Sequence, residues 1–152
     1  MQNLITTIHI ILTELFQIQT SERRFRRRFK RICLITSCVD MECIVAILYL
    51  ARAMQGGMSV TSKTLHNAFF IALSIAVSLM RDSPPSLQVW ANCFWTRVDS
   101  SKVFGAQLMF LNYVDWSLYV NRDDIIEVER CIDLINSTCI HGNEVSSASD
   151  PE

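Results

Sequence analysis

The chain has 152 residues, 50% of them apolar and 19% charged, which fits one globular domain whose core closes without disulfide or metal staples. Only four glycines and three prolines occur, so a turn-rich all-β fold is disfavoured and helices are favoured. The net charge of -1 hides a strong asymmetry: residues 23–31 hold seven of the fourteen bases, whereas from Asp115 onward two bases face nine acids.

The first predicted element is a helix over 3–18, with Leu4, Ile5, Ile8, Ile11, Leu12, Leu15 and Phe16 at a 3.6-residue period. Its apolar run is broken by His9, Glu14 and Gln17, and a spanning helix needs roughly 20 apolar residues. Its charges follow the run, whereas a signal peptide places them before it. No membrane span is expected, and a cytoplasmic or nuclear location is. Residues 20–25 are polar and read as a turn. A short helix over 26–34 follows, with Phe29, Ile32 and Cys33 on one side. Its bases have two readings: a solvated face, or a docking site in which Arg26, Arg27 and Arg28 meet a charged partner. The run R-R-F-R-R-R-F-K-R also has the composition of a phosphate-gripping or nuclear-import segment. The acidic remainder opposes wide nucleic-acid contact, so nucleic acid is not the expected partner.

Residues 39–54 are apolar nearly all round, which predicts a central helix. Ser37 and Asp40 resemble a capping box, and Asp40 and Glu42 suit its positive end. Gln55-Gly56-Gly57 ends it. A helix over 62–80 starts from a Thr61 cap, with small residues at 68, 72, 74, 76 and 78 that let neighbours approach. Pro84-Pro85 separates it from a helix over 86–96. Asp99 caps 100–114, with Val98 and Val103 as a hydrophobic staple. Trp116 to Val120 reads as extended, and Asp123 opens a last helix over 123–137. Its acids Asp123, Asp124 and Glu127 form a second candidate docking face. The polar, small-residue segment 139–152 reads as a disordered tail.

Of the six cysteines, Cys33, Cys38 and Cys43 are spaced by five, but no C-x-x-C occurs. Buried reduced thiols are the simplest reading, with no metal site expected. Catalysis has no support: neither G-x-S-x-G nor a glycine-rich phosphate loop is present. The chain reads as a non-enzyme without a cofactor. Periodicity by itself points to an all-α domain of seven helices.

The order and spacing of the segments over about residues 26–120 resemble a cyclin box, closest to the single-box, phosphate-signalling cyclins of fungi and protists. The motifs are Tyr49-Leu50-Ala51-Arg52, Thr61-Ser62 followed by Leu65-His66-Asn67, Ala76-Val77-Ser78-Leu79-Met80-Arg81-Asp82, Ala106-Gln107-Leu108-Met109-Phe110-Leu111 and Trp116-Ser117-Leu118-Tyr119-Val120. The resemblance implies an orthogonal five-helix bundle over 26–120 with the 62–80 helix wrapped by the others. An added N-terminal helix and basic linker precede it over 1–25, and a C-terminal helix follows over 121–138. It implies a non-catalytic subunit of a cyclin-dependent-type kinase, which would hold the kinase's mobile helix inward. The kinase-facing residues it implies are Ser78, Leu79, Gln107, Leu111, Trp116 and Leu118, with kinase substrates as further partners. The chain departs from the family where a lysine falls at Ser78 and a glutamate at Gln107. The family's substrate-docking patch is also broken at Lys30-Arg31-Ile32-Cys33-Leu34. Arg31 keeps the place of a buried structural arginine, but its usual acidic partner is Ala51. Arg31 therefore reaches solvent or borrows Asp40 or Glu42.

Overall fold

The periodic segments become seven helices in a computed structural model that describes residues 2–94 and 98–146. In chain order they are α1 (Gln2–Phe16), α2 (Glu22–Thr36), α3 (Asp40–Gln55), α4 (Leu65–Met80), α5 (Leu87–Cys93), α6 (Ser100–Tyr113) and α7 (Arg122–Ser146). No strand occurs among the described residues, so the domain is all-α. No helix of the described residues is long and apolar enough to cross a membrane.

α4 shares the centre with α3, the 39–54 helix that periodicity favours. Residues 69–77 are buried without a break, which requires neighbours on every side. Ala72, Ser74 and Ala76 within that run keep its surface low and let helices pack close. α3 runs against α4, α6 packs on both, and α7 lies between α3 and α1, which also meets α2. α2 reaches α4 through aromatic rings. Phe25 stacks on Phe70 at 5.6 Å between centroids, and Phe29 meets Phe69 edge-on at 5.8 Å. Offset and edge-on pairs of this kind add about 0.5–1.5 kcal/mol beyond the area they bury.

Several local expectations are corrected. The 20–25 segment is not a turn throughout, because α2 begins at Glu22. The Ser21 hydroxyl accepts the Arg24 N–H at 3.3 Å, and Glu22 pairs with Arg26 at 2.7 Å. A cap and a favourable i,i+4 pair thus carry the helix into the basic run. Phe25, in that supposed turn, is fully buried. Ser37 does not cap α3. It ends α2 in a left-handed conformation (φ 52°), with its N–H on the Cys33 carbonyl. Glu42 takes the capping role instead, its carboxylate accepting the Val39 N–H at 2.9 Å. Asp40 stays exposed as the first residue of α3.

α4 begins one turn later than the Thr61 cap implied. Thr61 and Thr64 close a preceding turn, with the Thr61 N–H on the Thr64 hydroxyl at 2.9 Å. Asp99 precedes α6, but its carboxylate takes no amide there. α5 ends at Cys93, and residues 95 and 96 of the expected 86–96 helix lie outside the described residues. Trp116 is not extended: it and Asp115 are left-handed, at φ 57° and 54°. The last helix is longer than expected, running through the start of the supposed tail to Ser146. Nothing in the sequence interrupts it before Gly142, while residues 147–152 lie outside the described residues.

Candidate functional site

Arg81, just past α4, locks the base of the molecule. Its guanidinium forks onto Glu42, with Nε to Oε1 at 2.6 Å and the second nitrogen to Oε2 at 2.8 Å. It also donates to the carbonyls of Thr36 and Ser37. The side chain of Glu42 is 3% exposed, and bonding to it raises the Arg81 pKa. One arginine therefore ties the end of α2, the start of α3 and the end of α4. The acid that Arg31 was expected to borrow is already engaged here. Arg31 instead reaches solvent and donates to the Asn92 carbonyl at 3.0 Å. It is not a buried structural arginine.

On the other side of α4 the fold brings Ser78 and Gln107 to one residue. The Ser78 hydroxyl donates to the Ser74 carbonyl at 2.8 Å, and the Gln107 amide donates to the Ser74 hydroxyl at 3.0 Å. Ser74 is fully buried and passes its own proton to the Ile71 carbonyl. The pair thus meets at Ser74, each side chain giving one hydrogen bond inside the chain. Leu111, one turn beyond Gln107, is half-buried against the core, as is Leu118. Leu79 at the end of α4 and Trp116 after α6 are 55% and 57% exposed. Trp116 therefore does not cap the core. Its indole N–H rests on the Asn112 side chain at 3.2 Å.

The segment after α6 is held down by two residues whose role was not legible from spacing. The Tyr49 hydroxyl donates to the Leu118 carbonyl at 2.9 Å. Arg52 donates to the Ser117 carbonyl at 3.0 Å and pairs with Asp124 at 3.2 Å. Asp124 also closes a reciprocal cap with Asn121 at the start of α7. α3 thereby fixes the backbone from which Trp116 and Tyr119 project, and Tyr119 is 79% exposed.

α6 itself buries little of its apolar surface. Most of its residues from Val103 to Leu111 are apolar, yet only Val103 and Phe110 are buried among its fourteen residues. Phe104 and Met109 are exposed, as are Tyr113 at the end of α6 and Met80 at the end of α4, and Met109 and Tyr113 border a groove with Met58, Val60 and Ile71. Such a helix has more apolar surface than its own domain covers.

The charged candidates separate. Arg26 is tied to Glu22 and donates to the Thr6 hydroxyl at 2.6 Å. Arg27 is exposed, while Arg28 is half-buried, its guanidinium 4.8 Å from the Phe70 ring centroid. On α7, Asp123 and Glu127 are exposed and Asp124 is half-buried in the links just described. Among the thiols, Cys33, Cys38, Cys43, Cys93 and Cys131 are free. Cys131 is exposed rather than buried. The Cys33 and Cys38 sulfurs lie 3.3 Å apart. No group of three or more His, Cys, Asp or Glu side chains that could hold a metal ion occurs among the described residues.

No protein-family model, no curated protein and no solved structure matches the chain.

Proposed function

We propose that the chain is a non-catalytic, cyclin-like regulatory subunit that binds and activates a cyclin-dependent-type serine/threonine kinase. It would do so in the cytoplasm or nucleus, with the face formed by α4, α6 and residues 116–120. The observation that carries this reading is the uncovered apolar surface of α6 and its flanks. Leu79, Phe104, Met109, Trp116 and Tyr119 are all exposed, and Tyr49 and Arg52 hold the backbone between α6 and α7 in place. The meeting of Ser78 and Gln107 at Ser74 supports it too, because the resemblance asks for those two positions on one surface.

An active kinase needs the glutamate of its mobile helix paired with its ATP-binding lysine. An apolar face packed on that helix favours the paired state by burying surface at roughly 25 cal/mol per Å², less the cost of association. Trp116 is the natural anchor, since tryptophan dominates interface energetics. Charged bonds across an interface contribute about 1.5–3 kcal/mol each, and Ser78 and Gln107 carry no charge to make them. The contact therefore rests on apolar burial. That same internal bonding favours a second reading, an adaptor that docks a partner without activating a kinase.

The test is co-purification of the tagged chain with the host's cyclin-dependent-type kinases, comparing wild type with Trp116→Ala and Leu79→Glu. Both side chains are more than half exposed, so the variants should fold. Capture of one kinase that both substitutions abolish is the expected result. No capture, or capture indifferent to both, would overturn the kinase reading.

A further inference from the structure

The linker between α1 and α2 and the turn before α4 enclose a cavity of about 590 Å³ whose lining is basic and hydroxylic. Arg24 and Arg28 come from α2, Lys63 from the turn and His66 from the first turn of α4, while Thr20, Ser21 and Ser62 add hydroxyls. No aspartate or glutamate lines it. The acid beside it in sequence, Glu22, is paired with Arg26. No ion pair among the described residues involves Arg24, Arg28 or Lys63.

Three cations facing one cavity without a counter-ion repel one another, and the cost rises with burial. Arg28 shows that cost most clearly. Its guanidinium lies over Phe70 with a side-chain bond to Asn67, and its Nε is buried without a partner. Burial lowers its pKa. The floor beneath is rigid: the Thr20 hydroxyl sits between His9 and His66, 2.9 Å from each Nε2. Both rings pack on Phe25. The floor and the basic wall are thus built on the aromatic core that fixes α2 to α4. The ends of α2 and α4 that border the cavity are N-terminal ends, which add partial positive charge.

We propose that this cavity is a binding site for a phosphate monoester dianion. Planar guanidiniums at Arg24 and Arg28 suit phosphate oxygens, Lys63 supplies a mobile ammonium, and the hydroxyls of Ser21 and Ser62 complete the donor set. The volume exceeds what inorganic phosphate fills, leaving room for the group that carries the phosphoryl. The chemistry is shared by a phosphorylated protein side chain and by a small phosphorylated metabolite. The site lies on α2 and the start of α4, and the proposal does not depend on the kinase reading.

The experiment is calorimetric titration of the full chain at 150 mM salt with phenyl phosphate, a phosphothreonine peptide, the same peptide unphosphorylated, and sulfate. Arg24→Glu and Lys63→Glu, at exposed positions, are compared with Arg28→Gln after checking that all three keep the wild-type unfolding midpoint. The expected result is binding of both phosphate monoesters and not of the unphosphorylated peptide. Affinity should fall at least about tenfold in Arg24→Glu and in Lys63→Glu, since reversing a charge costs more than one charge-assisted bond. A peptide bound much more tightly than phenyl phosphate would identify a phosphorylated protein as the source, and equal affinities a small metabolite. No binding of either monoester, binding no tighter than sulfate, or binding indifferent to Arg24→Glu and Lys63→Glu would overturn the proposal. So would affinity for single-stranded or duplex nucleic acid without affinity for a monoester.

Discussion

Arg81 and Glu42 show how much one side chain decides. The Glu42 carboxylate is nearly inaccessible and receives two guanidinium bonds as well as the Val39 amide. Removing one partner strands a buried charge, which costs about 3–5 kcal/mol. Arg81→Ala is therefore expected to lower the unfolding free energy by an amount in that range, read as a lower urea midpoint with an unchanged slope. Arg52→Ala, whose pair with Asp124 is partly solvated, should cost only about 1 kcal/mol. Equal losses would mean that the fork is not buried in solution.

His66 makes stability depend on pH. Burial, and then the charges of Arg28, His9 and Arg24, push it from its ordinary 6.5 down to about 4. His9 is lowered as well, mainly by burial, with Glu22 opposing. Lys63 adds another cation at the cavity. The unfolded chain binds the proton near 6.5, so His66 contributes fully above that value. Its contribution is lost as pH falls toward 4. With allowance for solvent in the cavity, the loss is about 2 kcal/mol. Denaturation at pH 7 and pH 4.5 reads it, and His66→Gln should flatten the difference.

At the scale of elements, the meeting of α3 and α6 depends on a missing side chain. A Cβ at Gly56 would overlap the Tyr113 carbonyl, and nothing else in the sequence is smaller. Gly56→Ala is expected to destabilise the chain by roughly 1–3 kcal/mol through overpacking. Gly57→Ala meets no atom but must adopt a φ of 101°, a cost of about 1 kcal/mol. A Gly56→Ala variant as stable as wild type would show that α6 sits farther from α3 than described.

All seven helices were legible from periodicity, because each has an apolar stripe and most have a recognisable stop. Their starts were less so. Ser21 and Ser37 are both serines beside a helix, yet one opens α2 and the other ends it in a left-handed conformation. That difference is set by where Phe25 and Arg81 find partners, which lie in α4 and α3. Ser78 and Gln107 meet at Ser74, which reads in the sequence only as a small residue for close packing and not as a hydrogen-bonding partner. The anchoring by Tyr49 and Arg52 is likewise a contact across more than sixty positions and has no local pattern.

The whole molecule is divided by charge and by covering. The base-rich helix α2 and its cavity lie against the start of α4, whereas the acid-rich α7 packs on α1 and α3. α6, packed on α3, α4 and α5, leaves apolar side chains in water that its own domain does not bury. A partner of unlike charge on one side and apolar contact on another would be oriented as it docks.

Phosphate transfer by the captured kinase, alone and with the purified chain added, separates activation from docking. A rise of about tenfold or more is expected with wild type. No rise is expected with Trp116→Ala at the same concentration, although that variant keeps the wild-type unfolding midpoint. A rate that the wild-type chain leaves unchanged while it remains bound would contradict activation and leave an adaptor in its place.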